Sequence, residues 1–237
     1  MRPPLLAFIV LTAGAAGSLQ AAPPLEDSIA QRVQACTVCH GPQGRAAADG
    51  YYPRIAGKPA GYLYNQLRNF RDGRRHYALM ANLLDPLSDT YLREIAQYFA
   101  TLDLPYPPQR PSSTATAAEL QHGQTLVTQG DARRKIPACV QCHGASLTGV
   151  QPAIPGLLGV PRDYLNAQLG AWKNGNRQAK SPDCMAHIAQ RLAPEDIAAV
   201  AQWISAQAVP AHAKAASQLP GPLPMPCGGV AGPEATP

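Results

Sequence analysis

The sequence predicts an all-α fold built as a tandem duplication, two small domains of about three main helices each. Three observations lead there. Matching segments recur about a hundred residues apart, the mark of an internal repeat. Several stretches space their apolar residues by about 3.6, and no strand-like run of useful length occurs. Glycine and proline (20 and 25 of 237 residues) gather in loops and tail, while aromatics make up only 6% of the chain. A core so poor in aromatics needs help, and a buried non-protein group would supply it.

The elements follow in order. Residues 1–21 read as a signal peptide: Arg2, the apolar stretch Leu5 to Leu11, and small residues around Ala21-Ala22. An uncleaved anchor is the competing reading, but the apolar stretch is short for a bilayer. The first domain takes residues 22–104. Glu26 to Ala35 leads in, Gly61 to Arg71 is amphipathic, and Ser88 caps a helix running toward Thr101. Residues 105–115 form a proline-rich, semi-rigid linker. In the second domain, 116–207, Thr116 and Glu119 form a capping box. Arg162 to Asn174 is its middle helix, and Pro194 opens the last one, which ends near Gln207. The tail, 208–237, is too proline-rich for helix or sheet.

Cys36-Thr37-Val38-Cys39-His40 and Cys139-Val140-Gln141-Cys142-His143 are two copies of C-x-x-C-H, the attachment signature of c-type haem. Two thiols one helical turn apart add to the porphyrin vinyl groups, and the histidine faces the iron. A thioredoxin-type disulfide would need alternating strands and helices, which are missing. A zinc site would have to pool both motifs. The chain is therefore expected to carry two covalent haem c groups, with Cys36, Cys39, Cys139 and Cys142 as attachment points and His40 and His143 as proximal ligands.

The repeat supplies the opposite ligands. Pro53-Arg54-Ile55-Ala56-Gly57 corresponds to Pro155-Gly156-Leu157-Leu158-Gly159, and Tyr62-Leu63 to Tyr164-Leu165. Gln66 corresponds to Gln168, Phe70 to Trp172, and Arg75 to Arg177. In this register Met80 and Met185 pair, since each stands the same distance before a leucine (Leu87, Leu192) that precedes an acidic helix start. A thioether suits electron transfer and raises the potential. His76, His187 and Met225 have no counterparts and are the weaker candidates. Cys184 and Cys227 remain; in an oxidising compartment they are expected to form a disulfide, with free thiols as the alternative.

The formal charge is +5, without the long basic, aromatic-interleaved run that nucleic acid would call for. Arg68, Arg71, Arg74 and Arg75 are read as a docking cluster for an acidic partner.

The paired motifs, Pro-x-[IL]-[AL]-Gly, Tyr-Leu-x-x-Gln-Leu-x-x-[FW] and the Met-to-Leu helix start resemble the dihaem class I cytochromes c of the cytochrome c-four type. The resemblance implies two cytochrome c domains about a pseudo-twofold axis, His/Met ligation, and a periplasmic protein, soluble or loosely membrane-associated. It implies that carbonyls at Pro53 and Pro155 orient the proximal histidines, and that Arg75 and Arg177 pair with propionates. The expected function is electron shuttling between redox proteins of a respiratory chain. The donor would be a quinol-oxidising complex or dehydrogenase, and the acceptor a terminal oxidase. The alternatives are a dedicated cytochrome subunit of a dehydrogenase and, behind it, a dihaem peroxidase-like enzyme.

Overall fold

A computed structural model describes residues 27–47, 50–106, 115–211 and 213–230. The signal segment 1–21 and most of the 105–115 linker lie outside the described residues.

The first half begins with α1 (Ile29–Arg32) and α2 (Gln34–His40), followed by a 3-10 turn at Pro42–Gly44. The sequence suggests one leading helix; the chain instead breaks at Val33, whose fully buried side chain plugs the core between the two pieces. Then come α3 (Ala60–Arg71), α4 (Ala78–Leu84) and α5 (Asp89–Thr101). The Ser88 hydroxyl accepts from the Tyr91 N–H at the start of α5. This satisfies one of the donors that a helix start leaves open.

The second half has α6 (Ala117–Thr128), α7 (Cys139–His143), a small antiparallel hairpin of β1 (Gly149–Val150) and β2 (Ile154–Pro155), α8 (Arg162–Lys173), α9 (Cys184–Arg191) and α10 (Pro194–Ser205). The Thr116–Glu119 capping box forms as the sequence predicts, with Glu119 accepting from the Thr116 N–H at 2.8 Å. Helices α6 and α10 cross at Gly123, where any side chain would run into the Ala199 carbonyl.

Buried apolar residues gather in two clusters. One holds Val33, Leu63, Phe70, Leu92, Ile95 and Phe99; the other holds Leu126, Val127, Leu165, Ile197, Val200 and Ile204. At the seam, Arg75 and Arg177 form an antiparallel bridge, the His76 N–H donates to Asn176 O at 2.8 Å, and the Gln178 N–H to Arg74 O at 2.6 Å. The fold class is all-α, with the two-residue strands of β1 and β2 as the hairpin exception among the described residues.

Candidate haem sites and the seam between them

Each C-x-x-C-H segment is itself helical and ends at a glycine with positive φ, Gly41 at 74° and Gly144 at 86°. That backbone favours glycine and turns the chain away just past the histidine. His40 and His143 are each 8% exposed. Their Nδ1–H groups donate to Pro53 O and Pro155 O, both at 2.8 Å. With Nδ1 occupied, Nε2 is the lone-pair nitrogen in each ring. Burial, the largest influence, pushes both imidazoles below their ordinary range against the opposing pull of the proline carbonyls. Both rings are thereby kept neutral, as a metal ligand must be.

A cavity of about 2040 Å³ runs between the halves, lined by both cysteine motifs, both histidines, Met80 and Met185. It exceeds the 300–1,000 Å³ of an ordinary ligand pocket and has room for two large groups. Met80 stands on α4 and Met185 on α9. His187 lies on α9 and His76 just ahead of α4, and of the two only His76 lines the cavity. Burial pushes the Cys139 thiol up to about 12, surroundings suited to a neutral thioether rather than to a zinc-bound thiolate. Among the described residues no cluster of His, Cys, Asp or Glu could hold a metal ion by itself.

The polar lining tests the fit to haem. Arg75 and Arg177 are 9% and 4% exposed. Burial, with Arg75 as a like-charged neighbour, pushes the Arg177 guanidinium down to about 10. Burial also pushes the Lys58 ammonium well below its ordinary range, and Lys58 reaches from the first half close enough to His143 to lower that imidazole. None of these three cations has a carboxylate partner among the described residues. Trp172 adds a buried indole N–H with no acceptor. Two buried arginines, a half-buried lysine and an orphaned donor around an apolar cavity fit a large flat group bearing carboxylates. Haem c, with its two propionates, is such a group. When bound, it would supply an iron that changes between ferric and ferrous.

The arginines also knit the seam. Arg75 donates to Gln66 at 3.0 Å in its own half, and to Tyr164 at 2.9 Å and Gln168 at 2.6 Å in the other. Arg177 donates to Gln168 at 2.7 Å in its own half, and to Gln66 at 3.0 Å and Tyr62 at 3.4 Å across the seam. Their guanidinium planes lie over Phe70 and Trp172. The same residue types serve in both directions, as in an isologous interface.

The remaining arginine cluster corrects an expectation. Arg68, Arg71 and Arg74 do not offer a free basic patch. They pair with Asp72 and Asp89, the shortest contact being Arg71 to Asp89 at 2.6 Å. The carboxylates follow the arginines on α3 and α5, a match that sequence reading of the basic run alone misses.

Cys184 and Cys227 are joined by a disulfide. The tail, without helix or strand among its described residues, is held against the second half, and it brings Leu223 and Met225 to the cavity wall. No helix among the described residues is long and apolar enough to cross a membrane.

Two C-x-x-C-H helices with carbonyl-oriented histidines, lining one cavity with Met80 and Met185, define a c-type cytochrome with two haem sites. The cytochrome c family profile matches residues 120–208. The thiosulfate dehydrogenase electron acceptor of Thiomonas intermedia is 37% identical over 193 residues, covering 81% of this chain and 84% of that protein. Cytochrome c4 of Pseudomonas aeruginosa is 33% identical over 204 residues, covering 84% and 96%. Among solved structures, thiosulfate dehydrogenase (TsdBA) from Marichromatium purpuratum superposes with a TM-score of 0.65 at 30% identity, over 73% of this chain. This chain spans only 36% of that one. The chain belongs to the dihaem cytochrome c family of the cytochrome c4 type. It carries two covalent haem c groups and is an electron-transfer protein rather than a catalyst, serving redox-protein partners.

Proposed function

We propose that His40 and Met80 ligate the first iron, and His143 and Met185 the second, with attachment through Cys36, Cys39, Cys139 and Cys142. The observation that carries this is the matched geometry of His40 and His143, each held by a proline carbonyl beside a shared cavity that Met80 and Met185 also line. Pro53 and Pro155 hold the rings in orientation. Arg75, Arg177 and Lys58 supply positive charge to the propionates. The two domains are taken as 22–104 and 116–207, and the protein as a periplasmic one exported by its N-terminal segment. Excluding water and fixing both sides of each iron keeps reorganisation small, which suits outer-sphere transfer.

The donor we favour is a dehydrogenase, with a thiosulfate dehydrogenase as first candidate. A curated relative is named as the electron acceptor of that enzyme, and a similar structure contains one. A terminal oxidase is the acceptor. The second reading is a quinol-oxidising complex as donor. Stopped-flow reduction of the holoprotein by a purified thiosulfate dehydrogenase with thiosulfate, set beside reduction by a quinol-oxidising complex, separates them. Faster reduction by the dehydrogenase is expected. Reduction by the quinol complex alone would overturn the reading.

A further inference from the structure

The C-terminal segment is built into the second site in a way that the first half does not copy. It first zips onto the hairpin: the Gln151 N–H donates to Ala216 O at 2.8 Å, and the Ala216 N–H to Gly149 O at 2.9 Å. It then runs through Pro222-Leu223-Pro224-Met225-Pro226-Cys227 with a two-residue rhythm. The three prolines are exposed, whereas Leu223, Met225 and Cys227 are partly buried and line the cavity. The Cys227 disulfide fastens it to Cys184, next to Met185. Beyond that, the Gly228 N–H donates to Pro182 O at 2.9 Å, against backbone that leaves no space for a side chain. Finally Asn65, on α3 of the first half, donates to Gly229 O at 2.9 Å.

These anchors stand on the proximal hairpin, on the Met185 helix and on the opposite half. The segment between them therefore runs along the second half's side of the shared cavity, with Leu223, Met225 and Cys227 toward it. Tethered at several points by hydrogen bonds and a covalent bond, it belongs to the high-energy end of local opening. Its occupant is already present, so the face it covers is not free for a docking protein.

We propose that Leu223–Gly229 is a fixed cover over the second haem, so that electrons pass between this protein and its partners through the first haem and reach the second only from within. This rests on the ligand assignment above. A partner must then approach the first half, and the second site acts as an internal store rather than as a port.

Imidazole, a small competing axial ligand, tests the cover on the ferric holoprotein. Its binding is followed by the shift of the Soret band as well as by loss of the methionine–iron charge-transfer band, and the phases are assigned to each haem with Met80→His and Met185→His. The first haem is expected to react faster. Opening the cover by Leu223→Ser with Met225→Ser, and separately by Cys184→Ser with Cys227→Ser, is expected to speed the second haem roughly tenfold, the factor that 1.4 kcal/mol of protection gives. The first-haem rate should stay unchanged. A second haem that reacts as fast as the first in the unaltered protein, or that ignores both changes, overturns the proposal. A missing methionine–iron band before imidazole is added would fail the ligand assignment instead, while the binding rates still judge the cover.

Discussion

Around the first haem site the rim carries Tyr51, Tyr52 and Tyr77. At the matching places of the second half stand Ala153, Ile154 and Ala179. Tyr52 lies edge-on to His40 with ring centres 6.1 Å apart, Tyr51 packs on Tyr52 at 4.9 Å, and both lie close enough to the Tyr77 hydroxyl to perturb it. The second half gives up these rings and gains a stretch of tail. It also receives a lysine from the other half and replaces Phe70 by Trp172, which adds a donor. At the seam the two halves stay alike. A duplicated protein can hold its axis fixed and still give each metal site its own surroundings.

The largest test of that contrast is at the irons. Met80→His and Met185→His should each lower the potential of one haem by roughly 0.2 V, a fraction of the ~0.8 V that axial ligands control. Voltammetry should show only one wave moving in each variant. If one substitution moved both waves equally, the sites would not be separate.

Removing the tail's bond, Cys184→Ser with Cys227→Ser, should cost the second half about 4 kcal/mol in the chain-entropy account. Thermal unfolding followed through each haem's absorbance should show the second transition falling while the first holds. A shift of the first transition would mean that the tail braces both halves through Asn65.

A smaller effect is expected at Asp196, whose carboxylate is only 4% exposed. Burial opposes its ionisation, but hydrogen bonds from Arg134, the Ala193 N–H and His122 outweigh this and hold it below the usual carboxylate range. Its folded value is depressed, so its contribution is present above the unfolded carboxylate value and is lost as pH falls toward the folded one. Asp196→Asn should cost about 2 kcal/mol at neutral pH. It should also flatten the acid limb of the second half's stability curve, measured by denaturant unfolding at a series of pH values. An unchanged acid limb would remove Asp196 from the account.

The smallest effect is at Trp172. Trp172→Phe makes the second half match the first. Losing its donor to a propionate should lower the second potential by on the order of 60 mV, one tenfold step for one electron. A potential that does not move would show that the indole N–H faces something else.

Much of this was legible in the sequence. C-x-x-C-H is local, because both sulfurs and the histidine sit within one turn, so the haem count needs no tertiary information. The repeat register then picks out Met80 and Met185. The helices carrying them were not legible. Residues 78–84 are apolar on nearly every side, since one face meets the core and the other the cavity, so no amphipathic stripe appears. Hairpin β1–β2 is too short to signal itself and depends on the chain that packs beside it. The tail reads as low complexity because its prolines dominate; the inward Leu223, Met225 and Cys227 gain meaning only when Cys184 is placed. The arginine cluster misled because its carboxylates lie on a neighbouring turn and on another helix.

One feature of the seam limits how this gene can change. The side-chain oxygen of Gln66 accepts from both Arg75 and Arg177, and that of Gln168 does the same. Neither acceptor serves one repeat alone. A codon change at either glutamine withdraws an acceptor from both buried guanidinium groups at once, and a rescuing change would have to serve both copies. The rims are free to drift apart, as they have, but the seam ties the inheritance of one repeat to that of the other. For the same reason, splitting the gene at the linker would give two fragments, each with a buried arginine stripped of part of its hydrogen bonding.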